Sequence, residues 1–227
     1  MTNNEYDATE SEEEYLEYIY RIEEIEKSPV KTTVIADELG FSAPAVSEMF
    51  KKLSSKGLVT LVPFKGVKLT EKGRKIAEWV ISRHRLAERF LVDMLDFDWA
   101  KSHDEACKWE HIITEEVYEK MFIKLGKPRT CPHGNPIPYK NTEKIDTGKP
   151  LCEYKEGDVL IITRISRESY ESLRHFKDLG LVPGVRIEIK WISPIDNSMV
   201  IDVKNKTISL SKNNTKIIWG KIKRREG

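Results

Sequence analysis

Tyr15, Leu16, Ile19, Ile22 and Ile25 recur at three- and four-residue steps, the spacing that lines one face of an α-helix. Ser28-Pro29 closes that helix. Val34, Ile35 and Leu39 mark a short second helix, which Gly40 stops. Ser42 caps a third helix, with Pro44 tolerated in its first turn. Its inner face is Val46, Met49, Phe50 and Leu53, and it ends at Gly57. Residues 58–62 and 67–69 are β-type runs around Pro63-Phe64-Lys65-Gly66, the pattern of a hairpin. Thr70 caps a long helix that runs to about Leu95, and 98–111 and 114–125 continue the helical period. Pro128, Pro132, Pro136 and Pro138 break it, and a polar linker follows. Beyond the linker the period changes. Short β-type runs at 159–162, 186–192, 199–203, 207–210 and 216–218, separated by Gly, Pro, Asn and Lys, predict a small all-β module. The fold class expected is mainly α with a small β domain.

Composition narrows the class. The 227 residues are 39% hydrophobic and 33% charged, enough apolar material for packed cores. The net charge of +1 excludes a uniformly basic nucleic-acid coat but leaves room for a local patch. Such a patch exists. Residues 1–26 hold ten acids against Arg21, whereas 44–75 hold eight bases against Glu48 and Glu71, a swing from −9 to +6. No apolar run is long enough to span a membrane, and the acidic first thirty residues do not resemble a signal peptide. Cys107, Cys131 and Cys152 are too few and scattered for a disulfide framework, so the chain reads as a reduced, cytoplasmic protein.

Helix, short helix, helix and hairpin in that order make an N-terminal winged helix-turn-helix, whose third helix enters the major groove of double-stranded DNA. The stretch Ser42-Ala43-Pro44-Ala45-Val46-Ser47-Glu48 begins with small residues, which permit close approach to bases and phosphates. Lys51, Lys52 and Lys56 continue the helix and Lys65 sits at the wing tip, positions from which lysines neutralise phosphates. Singly, each lysine reads better as a solvated helix face; the order of elements, the small-residue cap and the charge swing together favour DNA.

A second constellation lies on the following helices. His84 and Glu88 are one turn apart, as are His103 and Cys107, and Cys107-x-x-Glu110-His111 projects three groups the same way. Imidazoles, carboxylates and one thiol suit a borderline first-row divalent ion better than Mg²⁺ or Ca²⁺. A lone His or Glu on a helix is usually hydrogen-bonded or solvated, and a lone Cys is usually a small buried hydrophobe; six together argue for metal. Cys131-Pro132-His133 offers only two donors in a proline-rich loop and reads as a structural turn.

These residues resemble the diphtheria toxin repressor and iron-dependent regulator family of metal-activated transcription repressors. The similarity is carried by Arg83-His84-Arg85-Leu86-Ala87-Glu88-Arg89, by 103–111 (HDEACKWEH) and by Gly134-Asn135-Pro136-Ile137-Pro138, and extends over nearly the whole chain. It implies a winged helix-turn-helix over 1–74, a helical dimerisation and metal-binding domain over 75–140, a linker over 141–152 and an SH3-like barrel over 153–227. It further implies a homodimer on a palindromic operator, as one or two dimers per site, with two metal sites per chain and no small organic substrate. Carried over, Glu14, Cys107, Glu110 and His111 fall at the primary site, with Glu17 as a further candidate. His84, Glu88 and His103 fall at the ancillary site, to which Glu168 and Glu171 can add. Iron-type members carry a methionine where Glu14 stands, and manganese-type members an acid where Cys107 stands. The chain is therefore mixed, and the thiolate favours Fe²⁺ as corepressor over Mn²⁺. Ser42, Pro44, Ser47, Glu48, Lys51, Lys52 and Lys65 are the expected DNA contacts. Glu48 replaces a family glutamine and Ser55 a family arginine, so the operator is expected to differ from the family's best-known one.

Two other classes compete. A metal hydrolase is disfavoured by the absence of His-Glu-x-x-His and of a Gly-rich phosphate loop. A metal-independent DNA-binding protein would make the helical cluster mere packing.

Overall fold

The computed structural model describes residues 8–26, 28–138 and 145–223. The chain forms two compact units, one of Met1–Arg83, Glu110–Thr114 and Pro138–Lys140, the other of His84–Trp109, Glu115–Ile137 and Asn141–Gly227. Among the described residues no helix is long and apolar enough to cross a membrane.

The first unit holds α1 (Glu10–Glu26), α2 (Thr32–Leu39), α3 (Ala43–Ser55), the hairpin β1 (Val59–Val62) and β2 (Gly66–Leu69), and residues 71–83 of α4 (Glu71–Leu95). Helix α1 starts on a reciprocal capping box. The Glu12 amide donates to Thr9 Oγ1 at 3.3 Å, and the Thr9 amide donates to Glu12 Oε2 at 3.0 Å. Gly40 ends α2 in the left-handed region (φ 68°), and two residues later Ser42 Oγ accepts the Ala45 amide to open α3. That tight turn fixes α3 against α2. Leu16, Ile19, Ile35, Val46, Phe50, Leu53, Val67, Ile76 and Ile81 form the core beneath it, each buried. Burial of a Leu, Ile or Phe side chain is worth roughly 1.5–3 kcal/mol, so this shared core positions the recognition helix. Thr70 Oγ1 accepts the Gly73 amide and donates to the Gly57 carbonyl, which joins the start of α4 to the end of α3.

The second unit holds residues 84–95 of α4, α5 (Ser102–Trp109), α6 (Glu115–Lys124) and an antiparallel sheet of six strands in the order β3-β8-β4-β5-β6-β7. The strands are β3 (Lys149–Pro150), β4 (Val159–Ile165), β5 (Arg186–Ile192), β6 (Met199–Val203), β7 (Lys206–Leu210) and β8 (Ile218–Ile222). Period-2 burial puts Leu160, Ile162, Ile187, Ile189, Ile201 and Val203 inward. Register shifts at Ile162/Arg164 and Ile189/Trp191 bend the sheet around them.

Three segments depart from the sequence expectation. Helix α7 (Tyr170–Leu179) stands between the β-type runs at 159–162 and 186–192, where the sequence pattern predicts no helix. Ser169 caps it, Leu173 and Phe176 are its buried face, and Gly180 (φ 75°) ends it. The run 216–218 is not one strand. Lys216 and Ile217 close the short helix α8 (Lys212–Ile217), capped by Ser211, and β8 begins only at Ile218. Of the segment read as linker, Lys149–Pro150 pairs with β8, and Leu151–Glu153 makes a 3-10 turn with Leu151 buried. Residues 141–144 of that segment lie outside the described residues.

Candidate functional site

The second unit gathers titratable groups that are far apart in sequence. Glu88 comes from α4, Cys131 and His133 from the proline-rich loop, and Glu168 from the turn between β4 and α7. All four are buried, and each offers a donor atom within 4.8 Å of the others. His133 Nδ1 lies 3.3 Å from Glu88 Oε1 and 3.3 Å from Glu168 Oε1, and Cys131 Sγ lies 3.4 Å from Glu168 Oε1.

The loop is held from several sides. Arg89 donates to the carbonyls of Thr130 and Cys131, both at 2.9 Å, and Arg85 donates to that of Pro136. The Cys131 amide donates to the Asn135 carbonyl, closing a turn on Gly134 (φ 87°). A Cβ at Gly134 would stand 2.0 Å from the Thr163 carbonyl oxygen, so only glycine fits. Asn135 Nδ2 donates to Glu168 Oε1 at 2.6 Å and to the Ile165 carbonyl at 2.8 Å, which aims the carboxylate. His133 Nε2 donates to the Trp99 carbonyl at 2.9 Å. That bond uses one ring nitrogen and leaves Nδ1 facing the acids, the usual way a second contact orients a metal-binding histidine.

A neighbouring grouping shares Glu88. His84 Nε2 lies 3.1 Å from Glu88 Oε1 and 2.9 Å from His103 Nδ1, and Glu168 completes a set within 4.8 Å. The thiol of exposed Cys107 groups with His84 and His103 in the same way. Glu171 is exposed on α7 and stands outside these groupings.

Burial works to raise the Glu88 carboxyl, but the imidazoles of His133 and His84 outweigh it and hold Glu88 well below the usual carboxylate range. Burial works to lower His133, and Glu88, Cys131 and Glu168 reverse that and hold it well above the usual imidazole range. Burial, with Glu88 and Glu168 adding to it, pushes the Cys131 thiol up to about 11. Among the described residues Glu88 Oε2 has no hydrogen-bond partner although it is buried. An orphaned carboxylate oxygen in a buried nest of carboxylate, imidazole and thiol fits a borderline divalent cation.

The first unit gathers titratable groups of its own. His111 Nδ1 lies 2.9 Å from Glu13 Oε2, and His111 Nε2 lies 3.2 Å from Glu110 Oε1. Hydrogen bonds to Glu110 and Glu13 push His111 up to about 10. Burial raises the Glu14 carboxyl, His111 opposes that, and Glu110 adds to it. Arg83 donates to Glu13 at 3.0 Å. Glu17 is held by Arg21 at 2.6 Å, and its carboxylate lies within 4.8 Å of that of Glu110. Sequence reasoning singled out Glu14 and passed over Glu13, one position away on the same acidic turn. It also set aside Cys131 and His133, whose partners Glu88 and Glu168 lie 43 and 35 residues away. No local spacing signals such a set.

The expected DNA contacts lie on α3 and the hairpin. Ser42, Pro44, Glu48, Lys51, Lys52 and Lys65 are exposed, and Ser47 is half-buried. One α3 lysine and the lysine that follows the helix are already engaged from below. Lys52 and Lys56 reach buried Glu12 of α1 at 3.1 and 2.8 Å. Burial works to raise Glu12, but Lys56, the Thr9 amide and Lys52 together bring it down to about 2.

Comparison with known proteins agrees along the chain. Residues 7–67 match the family described as iron dependent repressor, N-terminal DNA binding domain. Residues 70–139 match iron dependent repressor, metal binding and dimerisation domain, and 149–221 match the FeoA domain. The chain is 32% identical to the iron-dependent repressor IdeR of Mycobacterium leprae, over 90% of this chain and 94% of that protein. It is 39% identical to the diphtheria toxin repressor of Corynebacterium efficiens, over 81% of this chain and 84% of that one. Among solved structures it superposes on a manganese-dependent transcriptional repressor in complex with manganese (TM-score 0.86, 30% identity, 93% of this chain and 100% of that one). It also superposes on ScaR with bound Cd²⁺ (TM-score 0.84, 28% identity, 93% and 99%).

Proposed function

Because the chain belongs to the iron-dependent repressor family, whose domains bind DNA, bind metal and dimerise, we propose that it is a cytoplasmic repressor of iron-homeostasis genes with Fe²⁺ as corepressor. The family is one of DNA-binding transcriptional repressors regulated by metal, not of enzymes, and the hydrolase alternative falls with that. The observation that carries the metal reading is buried Glu88, whose Oε2 has no partner among the described residues and which shares its nest with Cys131, His133 and Glu168.

Two clusters support the reading of two metal sites per chain. One is Glu88 with Cys131, His133 and Glu168, bordered by His84 and His103. The other is Glu110 and His111, with Glu13 or Glu14 as the carboxylate from α1 and Glu17 beside them. Cys107 remains the thiolate ligand that the family pattern assigns. A bound divalent ion supplies positive charge that satisfies several carboxylates at once. Without it the acids repel one another, and among the described residues Glu13 is held by Arg83 and His111. Glu13 and Glu14 belong to α1, and Glu12 of the same turn grips Lys52 of the recognition helix and Lys56, which follows it. Ordering α1 therefore orders α3, and an ion that prefers the ordered state shifts the population toward DNA binding. Thiols favour Fe²⁺. Mn²⁺ is the second reading, supported by the carboxylate-rich cluster of α1 and by the manganese-bound structural relative.

The division of labour follows the chain: 1–74 for DNA, 75–140 for metal and dimerisation, 153–227 as the SH3-like domain supplying Glu168, with 141–152 between them. Exposed Met94 and Leu95 at the end of α4, and Val117 and Ile123 on α6, support a homodimer. One or two such dimers then occupy a palindromic operator. The test is anaerobic selection of DNA sites from random sequence with Fe²⁺, Mn²⁺, Zn²⁺ or chelator, for wild type, Cys107→Ala and Cys131→Ala. Metal-dependent selection of a palindrome, weakened in the variants, is the expected result. Equal binding in chelator would make both clusters structural and end the switch.

A further inference from the structure

The hairpin between α3 and α4 ends in a feature that folding does not explain. Strands β1 and β2 pair from Val59↔Leu69 to Val62↔Gly66, leaving Pro63, Phe64 and Lys65 at the tip. Phe64 adopts φ 59°, the left-handed region that bulky side chains disfavour. Its ring is fully exposed, at 107% of its reference area, and Leu61 below it is 47% exposed. Neither the backbone conformation nor the exposed ring stabilises the isolated protein. Strained conformations of this kind persist where the surrounding structure imposes them, and they concentrate at functional sites.

Here the surroundings impose it. The base of the hairpin is pinned to the chain before α2 by paired bonds, Val30 N–H to the Val67 carbonyl at 2.8 Å and Val67 N–H to the Val30 carbonyl at 3.0 Å. Gly66, at φ 112°, lies so close that a Cβ would stand 1.9 Å from the Val30 carbonyl oxygen. The Lys65 amide donates to the Val62 carbonyl and closes the tip. The result is a stiff prong with an aromatic end. Lys65 and Lys68 flank it, exposed and without an ion pair among the described residues. This charge and this end together fit one occupant, a nucleic-acid duplex: the lysines match phosphates, and an apolar wedge matches the gap between stacked base pairs in a minor groove.

We propose that Phe64 is a specificity-determining wedge, which inserts at a deformable base step in the minor groove flanking the segment read by α3. This rests on the DNA-binding reading and names what the wing adds to it. Wedges favour pyrimidine–purine steps, which unstack most easily, so Phe64 sets a flanking preference where no hydrogen bond reads the base. Lys65 contributes only phosphate neutralisation.

The test uses the full chain, anaerobic, with Mn²⁺ or Fe²⁺, and duplexes selected from random sequence by the wild type. Phe64→Ala is expected to lose about tenfold in affinity and to lose the flanking-step preference, with the salt dependence unchanged. Lys65→Ala is expected to lower the salt slope and leave the preference intact. Phe64→Gly removes the backbone strain, so it should melt no lower than wild type while binding as weakly as Phe64→Ala. Equal affinity and equal flanking preference in wild type and Phe64→Ala overturn the wedge, as does a loss that is uniform across sequences with a shallower salt slope. If the wild type shows no metal-dependent binding to any duplex, the repressor reading itself fails, an outcome distinct from either.

Discussion

Replacing Glu12 by Gln tests whether the recognition helix is tied to α1 by charge. The carboxylate is buried and accepts from Lys56 at 2.8 Å, from Lys52 at 3.1 Å and from the Thr9 amide at 3.0 Å. Glutamine keeps the shape and an oxygen for Thr9 but removes the charge. Folding brings the Glu12 carboxyl from 4.5 to about 2, which at about 1.36 kcal/mol per pK unit is worth roughly 3.4 kcal/mol. The lysine side chains are 52% and 32% exposed, so solvent screens part of that. We expect a loss of roughly 1–2 kcal/mol at neutral pH. The folded pKa is depressed, so the stabilisation is fully present above about pH 4.5. It is lost as pH falls toward about 2, with more than half gone near pH 3. Urea unfolding of both proteins in chelator, from pH 7 downward, reads this directly. The gap between wild type and Glu12→Gln should be largest at pH 7 and close steadily on acidification. A gap that is absent at pH 7, or that stays constant with pH, would refute the ion-pair argument.

The buried nest yields two further expectations. Asn135→Ala leaves Glu168 unaimed and should weaken Mn²⁺ or Zn²⁺ binding by about 10–100-fold, as losses of outer contacts to metal ligands do; calorimetric titration showing unchanged affinity would contradict it. Cation uptake there must displace protons, because the Cys131 thiol is held near about 11 and His133 well above its usual range. Affinity should therefore fall from pH 8 to pH 6, with proton release seen as a buffer-dependent enthalpy. A pH-independent affinity would mean that neither group ligates.

Local signals carried most of the fold. The spacing of Leu16 and Ile19, the caps at Ser42 and Thr70 and the stop at Gly40 are each decided within a few residues, and the helices follow them. Helix α7 had the same signals in Ser169, Leu173, Phe176 and Gly180, but only two buried apolar positions between flanking strands, too few for the period to stand out. The β run at 216–218 misled because Ile217 and Ile218 are apolar neighbours on opposite sides of a helix–strand junction. Of the candidate site, pairs one turn apart such as His84–Glu88 were legible. The nest was not, since it depends on Arg85 and Arg89 drawing the 130–136 backbone onto α4. Such long-range gripping leaves no mark in spacing.

The Trp99 indole stands edge-on to the His133 ring, their centroids 4.7 Å apart, and its Nε1–H donates to the Pro132 carbonyl at 3.1 Å. A chromophore set that close senses any change in the charge of the imidazole as a shift in its excited-state energy. The chain thus carries a native optical probe at the nest. A variant retaining Trp99 alone among the five tryptophans would let emission colour and lifetime follow occupancy in solution, in real time and without a label.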